Sequence, residues 1–232
     1  MVNLRFLMLM VLLGNMVTVV EQLVKKSVMA KGYSYVVRRD YGFAPNPFNG
    51  VLTLAACKPV IRKGAQVGDF VIGFSGKYDE NKLVFMMKVS EVCTFDQYWN
   101  DSRFLCKRPV MNGSLKCKYG DNIYHHDDKG DWVQEDSHHS FENGVVNEDN
   151  LKRDTGSTDH VLISYDFFYF GKNAVEIPKR HQVCVHRFIG QKKIKEKDCI
   201  ALWKYLCSKY PKNELIGFPR QFSSFERYDG IK

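Results

Sequence analysis

The sequence predicts one α+β domain of mixed strands and short helices, ending in an amphipathic helix. Three observations predict it: strand-forming runs dominate residues 33–90, a β-branched and aromatic run returns at residues 160–170, and residues 197–210 carry apolar side chains at helical spacing. With 232 residues, 44% hydrophobic and 13% aromatic, the chain can bury a substantial core, which excludes a disordered protein. It contains no internal repeat, low-complexity tract or flexible linker.

Residues 33–39 (YSYVVRR) read as a strand, and DYGFAPNPFNG after them as a loop, because Pro45 and Pro47 forbid regular pairing. Residues 51–57 return as a strand. KGAQVGD is turn chemistry leading into FVIGF at residues 70–74. Leu83, Phe85, Met87 and Val89 then alternate with Val84, Met86, Lys88 and Ser90, the period of a half-buried strand. Thr94 is a plausible N-cap for a short helix over residues 94–100. Residues 121–159 are a polar loop broken by Gly130, Asn143, Gly144, Asn147 and Gly156, and HVLISYDFFYF is the strand that returns from it. In the last helix Cys199, Leu202, Trp203, Leu206 and Tyr210 share a face of core type, and Pro211 ends it.

The partition read from this pattern is an apolar N-terminal extension (1–28), a central domain (29–180) and a basic C-terminal helical extension (181–232). Residues 4–20 are apolar apart from Arg5, Asn15 and Thr18, yet fall short of the roughly 20 residues that span a bilayer. Met29 opens MAKGYSYVV one step before the first strand. An upstream-start extension or loose helix is the reading, with a signal peptide and a short membrane anchor as rivals. A cytoplasmic location without a membrane partner is expected.

The formal charge of +8 is unevenly spread: residues 177–232 hold 13 Lys/Arg and 5 Asp/Glu, while residues 1–176 hold 21 of each. Residues 121–159 run the other way, with 11 Asp/Glu, 3 Lys/Arg and four of the seven histidines. A polyanion would avoid that insert and favour its flanks. Seven cysteines, an odd number without a CxxC pair, read as reduced thiols in an intracellular protein, and no structural zinc is implied.

GxGxxG, GxxxxGK[ST], GxSxG and HExxH are all missing, so no cofactor is called for. Two local groups carry chemistry. Arg38, Arg39, Asp40, Tyr41, Phe43, Asn46 and Phe48 combine cations, rings and an amide in a proline-stiffened loop, which suits stacking on a base and reading its edge; a loop packed on its own core is the plain alternative. Asp136, Ser137, His138, His139 and Ser140 set two imidazoles beside a carboxylate and hydroxyls, the material of an acid/base pair or metal site. Adjacent residues of an extended segment point to opposite sides, so only one imidazole is expected to face a site.

The strings YSYVVRRDYGFAPNPFNGVLTLAACKPVIRKGAQVGDFVIG, KVSEVCTFDQYWND, GDNIYHHD, DSHHSF and LKRDTGSTDHVLISYDFFYFG resemble the second type of nucleotide modification associated domain, found in phage and bacterial systems that act on modified bases, over residues 33–178. The strand, aromatic loop, GD turn and apolar strand are also similar to the front of a PUA-like barrel, the fold group of EVE, ASCH and YTH modules. That resemblance implies a partly open β-barrel that holds a modified base.

Two functions follow, with a protein-docking subunit as a third. As a binding module for a modified base in nucleic acid or nucleotide, the chain would stack it on Tyr41, Phe43 and Phe48 and meet its edge with Asn46 and Asp40. Arg38, Arg39, Lys58 and Arg62 would meet phosphate, and Tyr98, Trp99 and Tyr124 would close the pocket. As an enzyme on nucleotides or modified DNA, it would use Asp136, His138 and His139 for catalysis, with Asp121, Tyr124 and His125 in support. Partners implied by the resemblance are proteins of a DNA-modification or defence system.

Overall fold

The computed structural model describes residues 30–230. Among them, ten strands form: β1 (Gly32–Val36), β2 (Leu52–Leu54), β3 (Phe70–Phe74), β4 (Leu83–Lys88), β5 (Glu91–Thr94), β6 (Tyr124–His126), β7 (Trp132–Gln134), β8 (His160–Ser164), β9 (Asp166–Tyr169) and β10 (Gln191–Ile194). The helices are α1 (Pro59–Gly64), α2 (Phe95–Asn100), α3 (Leu115–Lys118), α4 (Glu148–Thr155) and α5 (Glu196–Cys207), with short 3-10 turns between. The class is α+β.

Five strands make one sheet in the order β10-β1-β3-β4-β9, three make a second in the order β2-β8-β5, and β6 and β7 form a hairpin. Within the large sheet only β1 and β3 run parallel, Gly32 opposite Phe70 and Val36 opposite Phe74. A parallel pair needs a crossover connection. Here the crossover holds the proline loop, β2 and α1, so the segment that forms the site is anchored at both ends by central strands.

Side-chain alternation divides the core into layers. Tyr33, Tyr35, Val71, Phe85 and Phe167 point to one face of the large sheet and pack with Leu52, Leu54 and Leu162 of the small one. Phe70, Ile72, Phe74, Met86 and Phe168 point the other way and meet Leu202 and Leu206 of α5. The approach of α5 is close enough that a Cβ on Gly32 would lie 2.3 Å from Cys199 Sγ. On its far side the small sheet is covered by Phe95, Tyr98, Phe104, Tyr119 and Tyr124.

Several elements differ from what periodicity alone suggests. β4 is buried on both faces, because α5 and the small sheet each cover one side. Residues 160–170 split at Tyr165 into β8 and β9, which belong to different sheets, and Ser164 Oγ caps the break by donating to the Lys88 carbonyl. The polar insert is ordered: it contributes the β6–β7 hairpin and α4, whose N-cap Asn147 accepts from Asn150 N–H at 3.0 Å. Residues 181–232 supply the edge strand of the large sheet, β10, with Lys193 opposite Tyr33. No closed barrel forms among the described strands. No helix among the described residues is long and apolar enough to cross a membrane. The expectations for residues 1–28 lie outside the described residues.

Candidate functional site

Where β1 runs out into the proline loop, a cavity of about 360 Å³ opens between that loop, the turn before α1, the histidine pair and the end of the chain. Its floor is the turn at Cys57 and Lys58. Both residues lie in the left-handed region, with φ of 58° and 43°, which for side chains with a Cβ costs roughly 1–3 kcal/mol each. The strain is held from two directions. Cys57 N–H donates to Asp154 Oδ1 at 2.9 Å, and the fully buried Arg62 donates through Nε to the Cys57 carbonyl at 2.8 Å. Arg62 also donates to the backbone carbonyls of His160 and Asp154, which ties α1, β8 and α4 together beneath the turn.

Cys57 Sγ is the start of a relay. It lies 3.8 Å from His139 Nε2, and His139 Nδ1 lies 2.9 Å from Asp154 Oδ2. The carboxylate also accepts from Tyr124 OH at 3.0 Å and from Arg153 Nε at 3.0 Å. Burial alone would raise the carboxyl's pKa, but His139 and Arg153 hold it well below the usual range. For His139, burial opposes the charge, while Cys57 and Asp154 together hold the imidazole above its ordinary value. A thiol, an imidazole and a fixed carboxylate in line are the groups from which a nucleophilic triad can be built.

Cys57, His139 and Asp154 are close enough that their ligand atoms lie within 4.8 Å of one another. The relay still fits them better than a chelated metal does. Sulfur and carboxylate approach opposite nitrogens of one imidazole, whereas a metal takes one nitrogen per ring. The Asp154 oxygens are moreover occupied by Cys57 N–H, Arg153, Tyr124 and His139.

His138 also lines the cavity, so both imidazoles of the pair reach it. This corrects the expectation that only one would: residues 137–140 form a bend instead of a strand, and the two rings are partly stacked with centroids 5.4 Å apart. Their chemistry is opposite. Burial, then the charge of His139, push His138 down to about 3, and its Nδ1–H donates to the Glu226 carbonyl. Phe43 packs against both rings, at 5.0 and 4.5 Å. Tyr41 leans on His138 at 4.8 Å. Cations ring the opening: Arg38 and Arg39 are exposed, Arg39 and Arg153 stack on Tyr228 at 4.9 and 5.4 Å, and Lys58 lies over Tyr35 at 4.6 Å.

The model of nucleotide modification associated domain 2 matches residues 29–226. The chain belongs to this family. No curated protein and no solved structure matches it. The nucleotide modification associated domain therefore includes β10, α5 and most of the segment that follows them, extending well beyond residue 178.

Of the residues singled out from the sequence, Arg38, Arg39, Tyr41, Phe43, Lys58, His138 and His139 line the cavity of this domain. Others are turned away from it by prior engagements. Asn46 gives its amide to the Tyr119 carbonyl and accepts from Lys107 Nζ, and Phe48 packs on Phe222. Asp40 accepts from Tyr169 OH on the opposite side of the loop. Tyr98 and Thr53 donate to the buried Asp121, so that carboxylate is structural. Trp99 is sandwiched between His125 and Arg108, and His125 pairs with Glu135 at 3.0 Å. Asp136 pairs with Arg227 at 2.7 Å, away from the histidines' ring atoms. Arg62 and Tyr124 sit behind the wall as supports.

Sequence reasoning missed Cys57 and Asp154. For Cys57 the residue type sits at the end of an apolar run that reads as strand. For Asp154 a signal existed: Asn147 as cap, Glu148 and Asp149 in the first turn and Lys152 and Arg153 in the last are helix punctuation. It was hidden because the buried face, Asn150, Leu151 and Asp154, is mostly polar and leaves no apolar stripe.

Proposed function

We propose that this domain binds a nucleotide carrying a modified base and cleaves an acyl- or amidine-type bond of the modification with Cys57. The observation that carries this reading is the Cys57–His139–Asp154 relay opening onto a cavity walled by rings and rimmed by cations. Rings of the Tyr41, Phe43 and Tyr228 kind suit a base, and Arg38, Arg39 and Arg153 suit phosphate. The family's name supports a place in nucleotide-modification systems.

In this reading His139 Nε2 takes the thiol proton while Asp154 fixes the ring through Nδ1. The thiolate adds to the electrophilic carbon, and the π electrons move to its oxygen or nitrogen. Collapse of the adduct expels the amine or alkoxide, which leaves with the proton from His139. Water, deprotonated by the same imidazole, then attacks the sulfur-bound carbon and the Cys57 sulfur leaves with that proton, so that an acyl bond yields a carboxylic acid, an amidine yields an amide, and the thiol is regenerated. The separation of 3.8 Å is long for a working pair and would shorten as substrate closes the cavity.

The test is product analysis by mass spectrometry on a panel of modified nucleotides and oligonucleotides, with wild type, Cys57→Ala and His139→Gln. Turnover should vanish in Cys57→Ala while binding persists. Turnover that survives without the thiol would overturn the nucleophile. Binding without turnover of any member by wild type would instead favour a recognition module.

A further inference from the structure

The turn at residues 186–190, which leads into β10, carries two large apolar side chains into water. Phe188 is 75% exposed and Ile189 83% exposed, and both belong to the rim of the cavity. Single exposed apolar residues are ordinary, but an adjacent pair this exposed at the rim of a cavity is not. The surroundings are basic throughout: residues 177–195 hold six Lys/Arg and no Asp/Glu. Arg187 is exposed beside the pair, Lys193 is exposed on β10, and Arg38 and Arg39 stand exposed at the same mouth.

We infer that this turn is a wedge for a nucleic-acid strand, so that the base reaches Cys57 from a polymer and not as a free nucleotide. The inference rests on the nucleotide reading of the cavity and names its substrate class. Two demands select the occupant. The excess of positive charge requires a polyanion, and the projecting Phe–Ile pair requires flat apolar surfaces spaced along it. Stacked bases on a phosphate backbone meet both, since an apolar side chain inserted at a base step fills the gap left by an extruded base. The cavity supplies the other half, with room for one extruded unit between Tyr41, Phe43 and Tyr228. The cations outside the cavity would meet phosphates on either side of that unit, where a mononucleotide has none.

The test measures fluorescence anisotropy of labelled single-stranded and hairpin oligonucleotides of about 12 nucleotides with the full chain, and competition by nucleoside monophosphates. The variants are Phe188→Ser/Ile189→Ser, whose side chains are exposed and leave the fold intact, and Arg187→Gln/Lys193→Gln. The apolar pair's removal should weaken oligonucleotide binding about tenfold and monophosphate binding much less, and removal of the cations should flatten the salt dependence of oligonucleotide binding. Wild-type affinity in the Phe188/Ile189 variant, monophosphates competing as well as oligonucleotides, or binding of the wild type to anionic phospholipid vesicles in place of oligonucleotides would each overturn the wedge. Turnover by Cys57→Ala is read in the same samples. A wedge variant that loses oligonucleotide binding while Cys57→Ala retains turnover leaves the wedge standing and removes the nucleophile, and the reverse pattern does the opposite.

Discussion

Cys57 has to hold its thiol at the cavity floor in a backbone conformation that a side chain with a Cβ disfavours. Glycine would adopt that φ without the steric cost but carries no sulfur. The expected outcome for Cys57→Gly is therefore a melting temperature equal to or above that of wild type, a stability gain of up to about 1 kcal/mol, together with complete loss of thiol alkylation in the cavity. A substantial loss of stability would show that the turn is not strained. His138 obeys a different constraint. Its pKa is pushed down to about 3 in the folded protein, by burial first and by His139 second. An unfolded histidine binds its proton near pH 6.5, so between about 6.5 and 3 the unfolded state holds more protons than the folded one. Stability is therefore full above about pH 6.5 and falls as acid is added. Thermal melts from pH 7 to 4 should show this fall, and His138→Phe should reduce its steepness because the replacement does not titrate.

At the scale of elements, α4 and α5 stabilise the molecule by different means. α5 buries Cys199, Leu202 and Leu206 against the large sheet, so Leu202→Ala should cost about 2–5 kcal/mol in denaturant unfolding while leaving Cys57 alkylation unchanged in the folded protein. α4 buries polar groups, and its value lies in satisfied hydrogen bonds. Asp154→Ala strands Cys57 N–H, Tyr124 OH, His139 and the Arg153 guanidinium together, so it should cost about 3–5 kcal/mol and abolish the directional hold on His139. Equal alkylation rates in Asp154→Ala and wild type would show that the carboxylate does not act through the imidazole.

Across the whole molecule, charge is segregated. In the insert Asp154 is tied into the network of His139 and Arg153 and Asp136 pairs with Arg227 of the chain end, whereas Asp128, Asp131, Glu142, Glu148 and Asp149 are exposed; the C-terminal part keeps its cations at the surface. Lys192, Lys193, Lys195 and Lys197 surround the start of α5. Replacing all four by Gln should flatten the salt dependence of oligonucleotide binding, by about one unit of slope for each phosphate that a lysine no longer neutralises. An unchanged slope would mark them as a solvated face. The last described residues act as a strap: Tyr228 N–H donates to the His138 carbonyl at 2.7 Å, and Asn150 donates to the Tyr228 carbonyl at 2.7 Å.

What the sequence determined by itself is what period, composition and local punctuation determine. FVIGF is β3 to the residue, the capped segment after Thr94 is α2, and the apolar stripe through Leu202 is α5. Long strings also pointed to the family. The relay was decided only by tertiary structure, because its three members lie 82 and 15 residues apart and meet through a crossover between parallel strands and a helix with a polar buried face. The same reason explains why Asn46, Asp40 and Trp99 turned away from the cavity. A side chain's type says which bonds it can make, but the partner that takes the bond comes from elsewhere in the chain, as Lys107 does for Asn46, Tyr169 for Asp40 and Arg108 for Trp99.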